Sequence, residues 1–405
     1  MKLAVVTAFP PSKVTLNEYA YHLVKSFSVN QSITEIVLLT DKTAKEKEIS
    51  YLKDGCKITI VECWKFNSKA NVKTVLSAIN KTKPEAILFN LQFMKFGDNK
   101  IAAALGLTLP FLCKLKQIPT IVLLHNILEQ TDLGRAGFTS NILLQKVYNF
   151  IGTCLTKLIL QADTVAVTMK KYEITLHKKY KVSNITMIPH GTFEVFDTPT
   201  YELPEGPLKI MAFGKFGTYK KVESMIEAVE KVRKSSGINL EIVIAGTDNP
   251  NVIGYLDSVR EKYKQVPQLT FTGYVKENQV AKIFNSSAVV VFPYTSTTGS
   301  SGVLHQAGSY GKAVVMPNLG DLTTLIKDEG YRGEFFDPTS VDSLATAIQK
   351  IVTNNNYRVQ LGRANYKAAT AYPMDKIACK YVKEFQRILC KKKGISSSFS
   401  GASMG

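Results

Sequence analysis

The chain has 405 residues, of which 45% are hydrophobic and 21% charged, and its formal net charge is +18. That length exceeds one ordinary hydrophobic core and implies about two domains, and the composition is that of a soluble globular protein. The positive excess is spread over both halves and attracts anions; no zinc-finger, basic-zipper or RNA-recognition pattern accompanies it, so phosphorylated small molecules or an anionic membrane surface are preferred over nucleic acid as partners.

The first residues, MKLAVVTAFPPSK, hold one short apolar stretch broken by Pro10 and Pro11, which reads as a first buried strand rather than a signal peptide. Runs rich in Val and Ile follow at 35–40, 58–64, 86–91, 120–125, 164–169 and 185–189, with helical spacing between most of them, as at 15–27 and 141–160. Continuously apolar strands alternating with helices predict a parallel sheet covered on both faces. The segment FDTPTYELPEGP (196–207), with three prolines and three acidic residues, then reads as a linker.

Beyond it the pattern restarts, with strands predicted over 208–214, 240–246, 269–275, 288–293, 313–317 and 333–338. The expectation is α/β: two doubly wound Rossmann-like domains, 1–195 and 208–372, facing a cleft at the carboxyl ends of their strands, where open α/β sheets bind ligands. Two helical segments, 340–371 and 373–392, close the fold around Pro373, and the small polar tail 393–405 reads as disordered.

Six cysteines form no CxxC pair and mostly sit in apolar runs, so they read as reduced core residues and not as a disulfide frame or zinc site. The most apolar long stretch, NFIGTCLTKLILQADTVAV, is interrupted by Lys157 and Asp163 and does not reach transmembrane character. A cytoplasmic protein is expected, with any membrane contact peripheral and carried by the lysine-rich region 157–181 of the N-terminal domain.

Chemistry is expected just after strands. After 208–214 comes KFGTYKK (215–221), where Gly214 and Gly217 permit a tight turn and Lys215 and Lys220 stand at the start of the next helix, a site suited to a di-anion. A solvated turn with ordinary lysines is the alternative. The loop TSTTGSSGVLHQAG (295–308) follows another strand. Its Thr298, Gly299, Ser300, Ser301 and Gly302 are small, so backbone N–H groups of Ser301, Gly302 and Val303 can approach a phosphate. No G-x-G-x-x-G occurs, which argues against a nicotinamide or flavin cofactor, and no cofactor or metal is expected. His125, after strand 120–125, is the leading catalytic candidate among five histidines, against the reading of a histidine bonded to backbone. His190 reads as structural, His305 as core, and His22 and His177 as helix-surface residues; Glu18 and Asp41 read as helix surface and loop.

The segments IPHGT, GKFGTYKKVESMIEAV, IVIAGT, LTFTGYVKENQVAKIFNSSAVVVFPY and TGSSGVLHQAGSYGKAVVMPNLGDL, in that order, resemble a retaining glycosyltransferase of family 4, which has the GT-B fold. The resemblance covers nearly all of 1–390 and is strongest from 185 to 340. It implies transfer of a sugar from a nucleotide-diphosphate sugar to an acceptor hydroxyl of a carbohydrate or lipid-linked acceptor, in glycan or glycolipid synthesis. The N-terminal domain is then the acceptor side, with the helix 373–392 returning to it. Lys215 and Lys220 match the family's basic pair for the donor pyrophosphate, Tyr274 falls at its nucleobase pocket, and FPPSK (9–13) resembles the loop that abuts donor and acceptor.

Two positions depart from the family pattern. Aligned on GKAVV, Thr298 and Gln306 stand where the family carries glutamates. Gln306 still offers hydrogen bonds to ribose hydroxyls, whereas Thr298 brings no carboxylate to the donor sugar. A nucleotide-sugar epimerase of GT-B fold and a non-catalytic nucleotide-sugar or polyanion-binding protein are the competing readings.

Overall fold

The computed structural model of the protein describes residues 1–12, 14–43, 55–128, 142–195, 198–249, 252–296 and 301–392. The expected tail 393–405 lies outside them, as do the first two residues of the expected linker. The chain divides into two units, one of Met1–His190 with the C-terminal part from Met374, the other of Gly191–Pro373. The divide thus falls five residues before the boundary expected at 195, and 198–207 is coil within the second unit.

The first unit holds a parallel seven-stranded sheet ordered β3-β2-β1-β4-β5-β6-β7. Its strands are β1 (Lys2–Val6), β2 (Glu35–Asp41), β3 (Lys57–Trp64), β4 (Ala86–Leu91), β5 (Thr120–Leu124), β6 (Thr164–Val167) and β7 (Ile185–Met187). The central strands β1, β4 and β5 are buried along almost their full length, as a sheet covered on both faces demands. Helices α1 (Asn17–Ser28), α2 (Asn71–Thr82), α3 (Lys100–Gly106), α4 (Leu109–Leu115), α5 (Ile142–Ile159) and α6 (Lys170–Tyr180) connect them.

The second unit repeats the architecture with a parallel six-stranded sheet ordered β10-β9-β8-β11-β12-β13. Its strands are β8 (Leu208–Phe216), β9 (Leu240–Asp248), β10 (Leu269–Gly273), β11 (Ser287–Val291), β12 (Ala313–Pro317) and β13 (Glu334–Phe336). Between them run α7 (Glu223–Ser236), α8 (Tyr255–Lys262), α9 (Glu277–Ser286), α10 (Gly302–Ser309) and α11 (Gly320–Glu329). One core joins β8, β9 and β11 to α7 and to the helix Val341–Val352, through Ile210, Ile244, Val289, Met225, Val229 and Ile348.

Three helices close the chain: α12 (Val341–Val352), α13 (Asn355–Ala371) and α14 (Met374–Lys392). The single helix expected over 340–371 is therefore two. Asn354 leaves the helical conformation (φ −135°, ψ 92°) and its side chain accepts the Tyr357 N–H, so a polar cap starts a new helix there. Helix α14 lies in the first unit, where Tyr381 packs against Phe27 of α1 and Glu384 accepts the Thr164 hydroxyl.

In both sheets the strand order reverses once, between β1 and β4 and between β8 and β11. These switch points splay apart the connections that leave adjacent strands, and the gap outside the carboxyl ends is where such sheets take ligands.

Candidate functional site

The second unit builds its site at the β8/β11 switch point. Gly214 and Gly246 sit side by side on β8 and β9 with φ of 135° and 142°. The two backbones are so close that a Cβ on Gly246 would lie 1.8 Å from the Gly214 carbonyl oxygen. A Cβ on Gly214 would in turn lie 2.7 Å from Lys220 Nζ, so the glycine is what leaves room for that ammonium.

Backbone hydrogen bonds hold the Lys220 loop in place. The Gly217 N–H donates to the Lys220 carbonyl at 3.0 Å, the Lys221 N–H to Pro293 at 2.9 Å, and the Thr295 N–H to Tyr219 at 2.8 Å. The connections after β8 and β11, distant in sequence, are thereby stitched together. Lys220 Nζ stands 4.8 Å from the centre of the Tyr294 ring and 5.8 Å from that of Tyr219. Buried Tyr294 places its hydroxyl 3.5 Å from Ser301 Oγ, and Ser301 is the residue that caps α10.

At this helix start the N–H groups of Gly302 and Val303 have no intrahelical acceptor and form the positive end of the helix. Burial lowers the Lys220 pKa, opposed by Tyr219. An ammonium held in partly dry surroundings beside a helix N-terminus gains most when an anion arrives, because the anion restores the charged form that burial disfavours.

Gly214, Lys220, Ser301, Gly302 and Val303 are thus brought together around one gap through Tyr294. Half-buried Gln306 stands one turn into α10. Lys215 is exposed near the end of β8, opposite Thr247, and takes no part in that chain of contacts. Tyr274 lies one residue beyond β10, which ends at Gly273 with φ of 66°, and is 75% exposed. The strand expected to run through it to 275 stops short because the left-handed glycine turns the chain out of the ladder. Thr298, Gly299 and Ser300 lie outside the described residues.

The first unit gathers a buried polar cluster at the carboxyl ends of β1, β2, β4 and β5. His125, just past β5, has its Nε2 2.7 Å from Asn90 Oδ1. The Asn90 amide donates to Thr7 Oγ1 at 3.0 Å and to the Leu16 carbonyl at 3.4 Å, which fixes its oxygen towards the imidazole. Nε2 therefore carries the proton, and burial, with His190 and Lys95 adding to it, holds the His125 pKa well below 6.5. The result is a neutral imidazole with its lone pair on Nδ1. Tyr19 packs edge-on against both His125 and His190, with centroids 4.6 and 4.8 Å away.

Beside it, Ser12 donates a short hydrogen bond to Asp41 Oδ2, and Lys95 Nζ donates to the Thr15 carbonyl at 2.8 Å. Lys95 is 1% exposed, and burial brings its pKa down to about 7 against the pull of Asp41. Asp41, expected in a loop, is the buried last residue of β2, because the strand continues one residue further than its apolar run.

Lys95, Asn90 and the Ser12–Asp41 pair escaped the sequence reading. The one signal was a lysine set in the otherwise apolar LQFMKFG right after a strand. Tyr219 and Tyr294 also went unread, although each flanks a strand exit.

His22, expected on a helix surface, is buried on the inner face of α1 against Tyr21, and burial holds its pKa at about 4. His177 is half-exposed and sits near the α6 C-terminus with Nδ1 2.5 Å from the Val182 carbonyl. His305 is core, its Nδ1 2.8 Å from the Tyr331 hydroxyl. All six cysteines are free; Cys63 and Cys113 are buried, whereas Cys154 and Cys379 are exposed and do not belong to the core. Among the described residues no cluster of His, Cys, Asp or Glu stands together to hold a metal ion, and no helix is long and apolar enough to cross a membrane.

Residues 196–368 match the family model described as Glycosyl transferases group 1. No curated protein matches the sequence. Among solved structures, the chain is similar to sucrose-phosphate synthase from Thermosynechococcus elongatus, at 16% identity and TM-score 0.71 over 96% of this chain and 100% of that one. It is also similar to Anabaena HepE in complex with UDP, at 12% identity and TM-score 0.68 over 95% and 99% of the two chains. A glycosyltransferase from Rickettsia africae superposes at 12% identity and TM-score 0.67 over 96% and 98%. Residues 196–368 are accordingly similar to a group 1 glycosyl transferase domain, in a chain whose two Rossmann-like units have the GT-B fold.

Proposed function

We propose that the protein transfers a sugar from a nucleotide-diphosphate sugar to an acceptor hydroxyl, with retention of configuration at the sugar carbon, in the assembly of a glycan or glycolipid. The observation that carries this reading is the Lys220 ammonium, seated against Gly214 and Tyr294 beside the N-terminus of α10. The HepE structures hold UDP and UDP-glucose, which supports a uridine donor.

On this reading the donor diphosphate lies between Lys220 and the Gly302 and Val303 N–H groups. Gln306 reaches a ribose hydroxyl, Lys215 approaches the diphosphate from solvent, and Tyr274 faces the base. As the glycosidic bond breaks, the leaving phosphate gains charge, and these donors stabilise it more than they stabilise the bound donor. That phosphate takes the acceptor proton on the face it has just left, so no carboxylate base is required. Neutral His125 aligns the acceptor with its Nδ1 lone pair. The reaction needs no cofactor or metal, and the protein works in the cytoplasm, bound peripherally to an anionic membrane.

Calorimetric titration with UDP, GDP and ADP tests the site. UDP should bind with the highest affinity, and Lys220→Ala should weaken it about tenfold to a hundredfold, the worth of one charge-assisted contact. Exposed Lys234 and Lys282, changed to Ala, serve as controls. Equal weakening by a control lysine would show a diffuse field in place of a site. Release of UDP from UDP-glucose only when an acceptor is added separates transfer from epimerisation and from mere binding.

A further inference from the structure

A groove of about 750 Å³ opens in the first unit between α3 and α5. Its size falls within the range of about 300–1,000 Å³ typical of sites that enclose a small molecule. Small residues keep it open: Ala103 and Ala104 on α3, Gly152 and Thr153 on α5. At Gly152 the helix passes so close to Leu128 that a Cβ there would meet the leucine Cδ1 at 2.7 Å. The lips are apolar and face water, with Ile101 58% and Ile151 43% exposed. Along α5 the strip continues through Leu144, Val147 and Phe150, all exposed. An apolar patch of this kind on a protein surface marks a binding surface more often than a packing accident.

Two further observations say what the groove takes. Among the described residues that line it, the only charged ones are Lys100 and Lys179, and there is no carboxylate. Lys100 donates to the Tyr148 hydroxyl at 2.7 Å, and Lys179 lies 3.4 Å from Thr153 Oγ1, so both ammonium groups are held at the groove. The occupant is therefore apolar along its length and carries negative charge. The walls also come from the segments that carry the polar cluster. Phe93 and Met94 directly precede Lys95, and Leu128 follows His125 by three residues. The groove and the polar cluster are thus built on the same two segments, 93–95 and 125–128.

We propose that this groove holds the apolar chain of an anionic lipid, and that the acceptor belongs to the lipid-linked class, with its hydroxyl-bearing head at the His125 end and its negative charge against Lys100 and Lys179. The inference rests on the transfer reaction proposed above for its functional meaning, but the binding site stands on its own geometry. Each methylene moved from water into such a groove tightens binding about fourfold, so chain length governs affinity.

The test uses the full chain and the fluorescent anionic fatty acid cis-parinaric acid, titrated below its micelle-forming concentration. Saturable binding is expected, and so is displacement by 1-oleoyl-lysophosphatidylglycerol but not by glycerophosphoglycerol, the same head without the chain. Ala104→Phe, which fills the groove, should weaken the probe at least tenfold. Ile151→Asn, at an exposed position that leaves folding intact, should weaken it several-fold, and Lys100→Glu with Lys179→Glu should make the remaining binding insensitive to salt. UDP binding, measured on the same samples, should be unchanged in every variant. Failure of UDP binding alone would overturn the transfer reading and leave the groove. Probe binding that is absent, unaffected by both Ala104→Phe and Ile151→Asn, or displaced equally by the chainless head would overturn the groove. Binding to phosphatidylglycerol vesicles without binding of the monomeric probe would also overturn it, since it would mean that α5 docks on a surface and encloses no chain.

Discussion

Lys95 is a lysine with 1% exposure whose ammonium meets the Thr15 carbonyl and stands 6.0 Å from the centre of the Trp64 ring. It anchors the segment leading into α1 while the Ser12–Asp41 bond anchors the same segment from the β2 side. Burial depresses its pKa from 10.5 to about 7. Between those values the unfolded chain holds a proton that the folded chain has lost, so this group makes stability rise with pH, by up to about 1.4 kcal/mol per unit. Below pH 7 both states are protonated and the cost of burying the charge is fully present. Asp41 and His125 face the same ammonium, so the effect is read as a difference between two proteins. Lys95→Met removes the charge and keeps much of the volume. Its stability relative to wild type should be highest at or below pH 7 and should decline towards pH 10. Trp64, the one tryptophan of the chain, reports the urea unfolding of this region. Parallel pH profiles for the two proteins would show that Lys95 keeps an ordinary pKa.

At the scale of elements, the site proposed for the donor depends on how closely two strands and two loops approach. Gly246 and Gly237 both have positive φ, but they differ in surroundings. A Cβ at 246 runs into the Gly214 backbone, whereas at 237, past the end of α7, nothing lies within 4 Å. Gly237→Ala should cost about 1 kcal/mol, the left-handed penalty alone. Gly246→Ala must also force β8 away from β9 at the point where Lys220 packs on Gly214. It should cost at least about 3 kcal/mol and weaken nucleotide binding, as seen in calorimetric unfolding and UDP titration. Equal costs at the two positions would mean that the strands are free to part. The strands, the helices and the glycine-rich turns were legible because apolar runs, helical spacing and glycine positions are local signals. The break at Asn354 was not, because a capping asparagine inside an otherwise helical stretch shows itself only when its side chain turns back on the Tyr357 N–H.

At the scale of the whole molecule, the chain leaves the first unit at Gly191 and re-enters it at Met374. Helix α14 contributes buried Met374, Ile377, Tyr381, Val382, Phe385 and Ile388. At about 1.5–3 kcal/mol for each large apolar side chain, this burial is comparable to the whole stability of a domain, about 5–15 kcal/mol. Truncation after Pro373 should therefore unfold the first unit, with Trp64 fluorescence shifting to that of an exposed indole, while residues 191–373 keep their fold and their nucleotide affinity. A truncated chain with native Trp64 emission and an unchanged unfolding midpoint would show that α14 is dispensable.

The sequence by itself determined the two α/β units, the position along the chain of nearly every strand, the basic and small-residue segments after β8 and β11, and His125 as the residue that follows β5. Those features are written in short-range patterns of apolarity, glycine and charge. Only the tertiary structure decided which residues stand together. It placed Lys220 on Gly214 and Tyr294, left Lys215 and Tyr274 facing solvent, buried His22, and collected Ser12, Asp41, Asn90, Lys95 and His125 at the ends of four strands. The physical reason is that a parallel sheet joins strands distant in the chain, so the side chains that meet at its carboxyl edge are set by strand order and burial, neither of which leaves a local trace.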